Sequence, residues 1–176
     1  EGKKWHKKKP GLIISFDDGL RNNFDVAAPL LEKFGFTGWF FIPTDFINSS
    51  STTQHTFAST HSIHSKSQYK DGRIAMSWEE VKILDKLHVV GCHTKTHHRL
   101  HSSTSNSQMK KEIIESKDDL EKQLGHSMDI FCWVGGEESS YSSQAGRYIR
   151  QAGYKYSFMT NCSPITKNTN QMQLQR

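Results

Sequence analysis

The chain has 176 residues, of which 34% are hydrophobic, a length and composition that suit one globular core and exclude an intrinsically disordered chain. Much of the net charge of +5 lies in residues 3–9, so we interpret residues 1–10 as a solvated basic tail and predict no nucleic-acid partner. No apolar run is long enough to span a membrane, and residues 11–176 are predicted to form one domain.

Five short runs are continuously apolar, as in strands that are covered on both faces in a parallel sheet. These predicted strands are residues 12–16, 37–42, 88–94, 128–134 and 154–160. Segments with helical spacing separate them, at residues 23–35, 77–88, 106–125 and 142–153. The second begins with Ser77 and has Glu80 three residues later, which predicts a capping box. Strands alternating with helices predict an α/β fold with a parallel sheet, either open or closed into a barrel.

Residues 48–72 interrupt this alternation with a segment rich in Ser, Thr and His. The segment has neither a helical nor a strand period, and it is predicted to be a long surface loop. Its histidines, His55, His61 and His64, are interpreted as polar loop residues in preference to metal ligands.

Three cysteines, Cys92, Cys132 and Cys162, form no CxxC pair, and their number is odd. This argues against a disulfide framework and against a cysteine zinc site. All three lie in or beside apolar segments, so buried free thiols are predicted, with one disulfide as the alternative.

Two polar clusters follow predicted strands. Asp17 and Asp18 end the first strand, and His93 and His97 lie four residues apart at the end of the third. Either cluster alone is ambiguous, because Asp-Gly is a common turn dipeptide and histidines are ordinary in surface loops. The carboxyl ends of parallel strands share one edge of the sheet, so the two clusters are expected to lie close together. Together the clusters predict a site of two His and one carboxylate for a catalytic cation. The second Asp would remain ionised beside it as a base.

The motifs "SFDDG" and "HTKTH", with "MSWEEVKILDKLHVVGCHT" leading into the second, resemble those of the polysaccharide deacetylases of carbohydrate esterase family four. The resemblance covers roughly residues 11–160. It implies a distorted (β/α) barrel that removes N-acetyl groups from amino-sugar polymers with a divalent metal, most often Zn²⁺, with Co²⁺ or Ni²⁺ as alternatives. Asp17 then corresponds to the general base, and the metal ligands are Asp18, His93 and His97. Thr94 occupies a position whose hydroxyl supports the loop.

The chain departs from the family pattern in two places. The segment "FCWVGGEESSY" lacks the Arg of the third motif, and it places Trp133 as an expected wall of the substrate pocket. Arg176 is a candidate for the cation that orients Asp17. The family's Leu-x-His segment, whose histidine protonates the leaving amine, does not follow the last predicted strand, so the barrel is expected to be incomplete at the C-terminus and the general acid is unassigned.

The leading hypothesis is therefore metal-assisted hydrolysis of N-acetyl groups on a carbohydrate substrate. The alternative is a catalytically impaired, carbohydrate-binding domain of the same fold. A nucleic-acid-binding function rests only on the basic tail and is rejected. By resemblance the protein is expected outside the cytoplasm or in the cell envelope, although no signal peptide is visible and a cytoplasmic location stays open. The sequence gives no indication of the oligomeric state.

Overall fold

The fold was analysed in a computed structural model that describes residues 11–137 and 141–176, so the predicted basic tail at 1–10 lies outside the described residues. Six parallel strands form one sheet in the sequential order β1 to β6. The strands are β1 (Ile14–Phe16), β2 (Gly38–Ile42), β3 (Val89–Cys92), β4 (Ile130–Cys132), β5 (Tyr156–Met159) and β6 (Leu174–Gln175). The sheet curls into a half-barrel. The curl is visible in a contact between Asp17 and Arg176, which follow the two edge strands β1 and β6. The predicted α/β class and the incomplete barrel are confirmed.

Both faces of the sheet are covered, as the continuously apolar runs predicted. Neighbouring residues of β2 illustrate this, because Phe40 belongs to the large core beneath the helices and Phe41 to a smaller cluster on the opposite face. The smaller cluster also contains Cys132, Phe158 and Leu174. The side chains of Phe40 and Phe41 are at most 1% exposed.

The helices pack against the large core. They are α1 (Ala28–Lys33) after a π-helical turn (Asn23–Ala27), α2 (Thr44–Asn48), α3 (Gln54–Thr60), α4 (Trp78–Leu87), α5 (Asn106–Lys110), a second π-helical turn (Lys111–Glu115), α6 (Ser116–Leu124) and α7 (Ser143–Gln151). The predicted capping box is present at α4, where Glu80 N–H donates to Ser77 Oγ at 3.3 Å and Ser77 N–H donates to Glu80 Oε2 at 2.7 Å.

The prediction of an unstructured loop over residues 48–72 is wrong for its first half, which contains helix α3. The helix is anchored by Gln54, whose side chain is 2% exposed. Gln54 Nε2 donates to the carbonyl of Ser49 at 3.0 Å, and its Oε1 accepts the N–H groups of Ile74 and Ala75 at 2.8 and 2.9 Å. A buried amide therefore holds this helix, and hydrophobic periodicity does not detect such an anchor.

Two further expectations need correction. The sequence predicted five strands, whereas Leu174–Gln175 forms a sixth that pairs with β5 and is too short to show a period. All three cysteines are free, but Cys162 is exposed and only Cys92 and Cys132 are buried. Among the described residues, no helix is long and apolar enough to cross a membrane.

The capping box provides a test of the helix that leads into β3. Ser77→Ala removes the hydroxyl that accepts the Glu80 N–H, and we expect the free energy of unfolding to fall by about 1 kcal/mol. Urea denaturation of the purified chain measures this loss. Ser103→Ala, at an exposed position, is the control and should change stability by less than about 0.5 kcal/mol. Equal stabilities for the two variants would contradict the role of the cap.

Candidate metal centre and active site

The paired carboxylates lie directly after β1, at the carboxyl end of the sheet. The backbone turns sharply there, because Asp18 and Gly19 have φ angles of 71° and 65°. Aspartate is among the few residues with a side chain that tolerate this left-handed conformation. The turn is held by Met76, whose N–H donates to the carbonyl of Gly19 at 2.9 Å. Both carboxylates consequently face the mouth of the half-barrel.

The two predicted histidine ligands lie in the turn that follows β3. His93 continues the line of the strand, with its N–H donating to the carbonyl of Ile42 at 3.0 Å. Thr94 and His97 then take left-handed φ angles of 65° and 60°, so the spacing of four reflects a tight turn rather than a helix. The hydroxyl of Thr94 accepts the N–H of His98 at 3.2 Å, the loop-supporting contact that the resemblance implied.

Backbone carbonyls orient both imidazoles. Nδ1 of His93 lies 2.9 Å from the carbonyl oxygen of Cys132, and Nδ1 of His97 lies 2.6 Å from that of His61. Because a carbonyl can only accept, each Nδ1 carries the proton and each Nε2 is directed to the site. Nε2 of His97 and of His93 lie 3.0 and 3.6 Å from Oδ1 of Asp18.

The donor set suits a divalent cation. One ligand atom from each of Asp18, His93 and His97 lies within 4.8 Å of the others. Two imidazole nitrogens and a carboxylate oxygen are ligands that Zn²⁺ and similar cations accept, and three protein ligands leave coordination positions open. The structure thus brings together all three residues that the sequence analysis proposed as ligands.

Burial and charge act in opposite directions on the pKa values of the three candidate ligands. Burial favours a raised pKa for Asp18, but the hydrogen bond with His97 and the charges of the imidazoles outweigh it, and its pKa is lowered. Burial lowers the pKa of His93, which favours the neutral imidazole. Burial also acts to lower the pKa of His97, but the hydrogen bonds to Asp18 and to the carbonyl of His61 dominate and raise it.

The expected partner of Asp17 is present. Arg176 Nη1 lies 2.9 Å from Oδ1 of Asp17 and Nη2 lies 2.5 Å from Oδ2, a bidentate pair. Nη1 also donates to the hydroxyl of Ser15 at 3.1 Å. Asp17 Oδ2 lies 3.8 Å from Nε2 of His93, so this carboxylate borders the ligand set without joining it. The pair fixes the orientation of the Asp17 carboxylate.

The expectation for Trp133 is wrong. Its side chain is 1% exposed, its ring packs against Phe131 and Tyr141, and its Nε1 donates to Ser157 Oγ at 2.7 Å. Trp133 follows β4 but is directed into the core, where it cannot contact a sugar.

A cleft of about 460 Å³ contains the site. It is lined by Asp17, Asp18, His93 and His97. Val134 and Gly135, from the segment "FCWVGGEESSY" that was expected at the substrate pocket, also line it. The sequence analysis did not place four further lining residues there: Thr60, Ser62, His98 and Arg99. Of the three loop histidines, His61 and His64 also line the cleft, and none belongs to the ligand set. For the lining residues within 48–72, the only sequence signal is the Ser/Thr/His-rich composition of that segment, which shows polarity but not position.

Comparisons with known proteins show what this sequence and this fold are similar to. The sequence profile described as polysaccharide deacetylase matches residues 4–157. The fold is similar to that of a deacetylase of Streptococcus pyogenes, PplD, in complex with acetate, with 19% identity and a TM-score of 0.70 over 93% of this chain and 62% of that one. It also resembles the deacetylase domain of BpsB from Bordetella bronchiseptica, at 12% identity and a TM-score of 0.70 over 93% of this chain and 69% of that one.

A polysaccharide deacetylase from Bacillus cereus is similar at 20% identity and a TM-score of 0.69, over 93% of this chain and 45% of that one. The chain therefore spans less than two thirds of the length of the Streptococcus pyogenes and Bacillus cereus proteins. No curated protein sequence matches the chain.

The opposite pKa shifts of Asp18 and His97 predict a pH window in the metal-free protein. The lowered pKa of Asp18 gives a stabilisation that is present above its unfolded pKa of about 3.9 and is lost as the pH falls through the folded value. The raised pKa of His97 gives a stabilisation that is complete below its unfolded pKa of about 6.5 and is lost as the pH rises through the folded value.

Asp18→Asn, which also tolerates a left-handed backbone, should therefore lower the Tm most between about pH 4 and 6.5, and less at pH 8. Thermal unfolding of wild type and variant with a chelator present, across this range, measures the difference. A difference that is constant, or that grows towards pH 8, would contradict the coupling of Asp18 with His97.

Proposed function

The chain belongs to the polysaccharide deacetylase family, and we therefore propose that it is a metal-dependent hydrolase that removes N-acetyl groups from an amino-sugar polymer. One observation carries this proposal. A set of two imidazoles and one carboxylate lies beside a second carboxylate held by Arg176, all lining one cleft. A site for metal-assisted amide hydrolysis needs these parts: a place for a cation, an ionised base and room for the substrate.

Asp18, His93 and His97 would hold the cation, with Zn²⁺ as the first expectation and Co²⁺ or Ni²⁺ as alternatives. When bound, it supplies Lewis acidity that makes the amide carbonyl more electrophilic and water more acidic. The carbonyls that accept from Nδ1 of the two histidines hold each Nε2 in place before a cation arrives. The ligand set therefore needs little rearrangement on binding.

Asp17 is the proposed general base. Its carboxylate lines the cleft and is held by two hydrogen bonds from Arg176, so its position is fixed although it lies in a turn. It would take a proton from the water that attacks the carbonyl carbon of the acetyl group. Transfer of that proton to the amide nitrogen would let the C–N bond break, and acetate and a free amine would leave. Val134 and Gly135 line the same cleft, where their N–H groups would stabilise negative charge on the carbonyl oxygen.

The cleft volume of about 460 Å³ is of the size found for small-ligand sites and fits part of a carbohydrate chain. The lining is mostly polar, as hydrogen bonding to sugar hydroxyls requires. We place the reaction on N-acetylglucosamine-containing polymers or oligomers, outside the cytoplasm or in the cell envelope, as the family resemblance implies.

Sugar binding without hydrolysis is the competing function, for which the same cleft would suffice. Acetate release separates the two. A protein that binds N-acetylglucosamine oligomers and Zn²⁺ but releases no acetate would be the binding domain.

Removing a ligand should remove the cation. Asp18→Asn removes the charge of the carboxylate ligand and His97→Asn removes one imidazole, and both keep a residue that tolerates a left-handed backbone. We expect the Zn²⁺ content to fall from one per chain to near zero, as measured by elemental analysis after dialysis. His126→Ala is the control, because this exposed histidine pairs with Asp85 away from the site. Full metal content in both ligand variants, with acetate release intact, would overturn the assignment.

Removing the base should spare the cation. Asp17→Asn keeps the shape of the side chain but cannot accept the proton, so kcat for acetate release should fall by about 10²–10⁴ with an unchanged metal content. Release of acetate from N-acetylglucosamine oligomers is the assay. Glu79→Gln, at an exposed carboxylate, should leave kcat unaltered. A kcat for Asp17→Asn within about twofold of wild type would exclude Asp17 as the base.

A further inference from the structure

Glu112 is a buried carboxylate that the proposed reaction does not use. It lies in the π-helical turn between α5 and α6, and its residue exposure is 0%. A carboxylate removed from water is costly unless hydrogen bonds replace its hydration. Among the ion pairs of the described residues, none includes Glu112, so its charge is satisfied by hydrogen-bond donors rather than by a cation.

Most of these donors belong to the turn that carries His97. Oε2 of Glu112 accepts the N–H groups of Lys95 and Thr96 at 3.0 and 2.8 Å. Oε1 accepts the hydroxyl of Thr96 at 2.7 Å, and the amide of Gln108 also donates to Oε1 at 2.7 Å. Three of the four hydrogen bonds therefore hold the two residues immediately before His97.

The backbone of this turn is strained and needs such support. Thr94 and His97, on either side of the two residues that Glu112 holds, have φ angles of 65° and 60°. The left-handed region is unfavourable for residues with a Cβ, and a β-branched threonine is a clear outlier there. Such a conformation persists only where the surrounding contacts hold it.

A second contact ties the same turn to the same helical segment. Lys95 Nζ lies 2.6 Å from Oδ2 of Asp119 in α6, and the hydroxyl of Thr44 donates to the same oxygen at 3.1 Å. The helical segment thus holds the backbone of the turn through Glu112 and its lysine side chain through Asp119. Neither carboxylate reaches the cleft.

We propose that Glu112 is a positioning residue for the cation site. It fixes Lys95 and Thr96 so that the turn presents Nε2 of His97 beside Asp18 and His93. The inference rests on the proposed cation-binding role of these three residues. It assigns part of the cation affinity to a residue that never contacts the ion.

The test is the affinity of the full chain for Zn²⁺, measured by competition with a chromophoric chelator. Glu112→Ala frees the turn, and we expect the Kd for Zn²⁺ to rise by about tenfold to a hundredfold, the range seen when groups that orient metal ligands are removed. Gln108→Ala is the matched control, because it removes a 2.7 Å hydrogen bond to the same Oε1 from outside the turn. Its Kd should stay within about threefold of wild type.

The Tm without metal is recorded for every variant, so that a loss of folding stability is separated from a loss of affinity. If Glu112→Ala does not fold, Thr96→Val replaces it, since this variant removes the hydroxyl bond to Oε1 from within the turn. Thr96→Val should then bind Zn²⁺ clearly more weakly than Gln108→Ala.

A Kd for Glu112→Ala within about threefold of wild type would overturn the inference. Equal losses of Zn²⁺ affinity in Thr96→Val and Gln108→Ala would overturn it as well. A wild-type chain that takes up no Zn²⁺ would instead overturn the proposed function. The two failures are therefore distinguishable.

Discussion

One ion pair joins the two edges of the sheet. Asp17 follows β1 and Arg176 follows β6, the first and last strands in the sheet order, yet Nη1 and Oδ1 are 2.9 Å apart. In a flat sheet, five strand spacings would separate these edges by about 24 Å. The pair therefore requires the sheet to curl, which gathers the carboxyl ends of the strands around one mouth. That convergence brings Asp18 after β1 close to His93 after β3, although β2 lies between them.

The parts of the fold that hydrophobic pattern controls were predictable. Five of the six strands coincide with continuously apolar runs, and the capping box at Ser77 and Glu80 marks the start of α4. The site followed from a general rule, because residues at the carboxyl ends of parallel strands face the same edge. Asp18 and His93 could thus be placed together before any coordinates were known, while Arg176 came from the family resemblance.

Other features depend on side-chain direction or on buried hydrogen bonds, which periodicity does not encode. Helix α3 is held by the amide of Gln54 and has few apolar residues, and β6 has only two residues. The position of Trp133 after β4 was predicted correctly, but the direction of its side chain was not. Successive side chains of a strand point to opposite faces, so a shift of one residue reverses the face that a side chain occupies. Glu112 reads in the sequence as an ordinary polar residue of a helix, and only the close approach of the turn at residues 94–97 shows what it holds.

The groups at the mouth are oriented by partners far away along the chain. The bonds that orient His93, His97 and Asp17 join residues 39, 36 and 159 positions apart. None of them exists until the intervening chain has folded, so the proposed ligands reach this arrangement only in the folded molecule. A cation would load after folding and stabilise it by mass action, in contrast to zinc fingers, which fold around their metal. Metal uptake in such a protein would follow folding rather than trigger it.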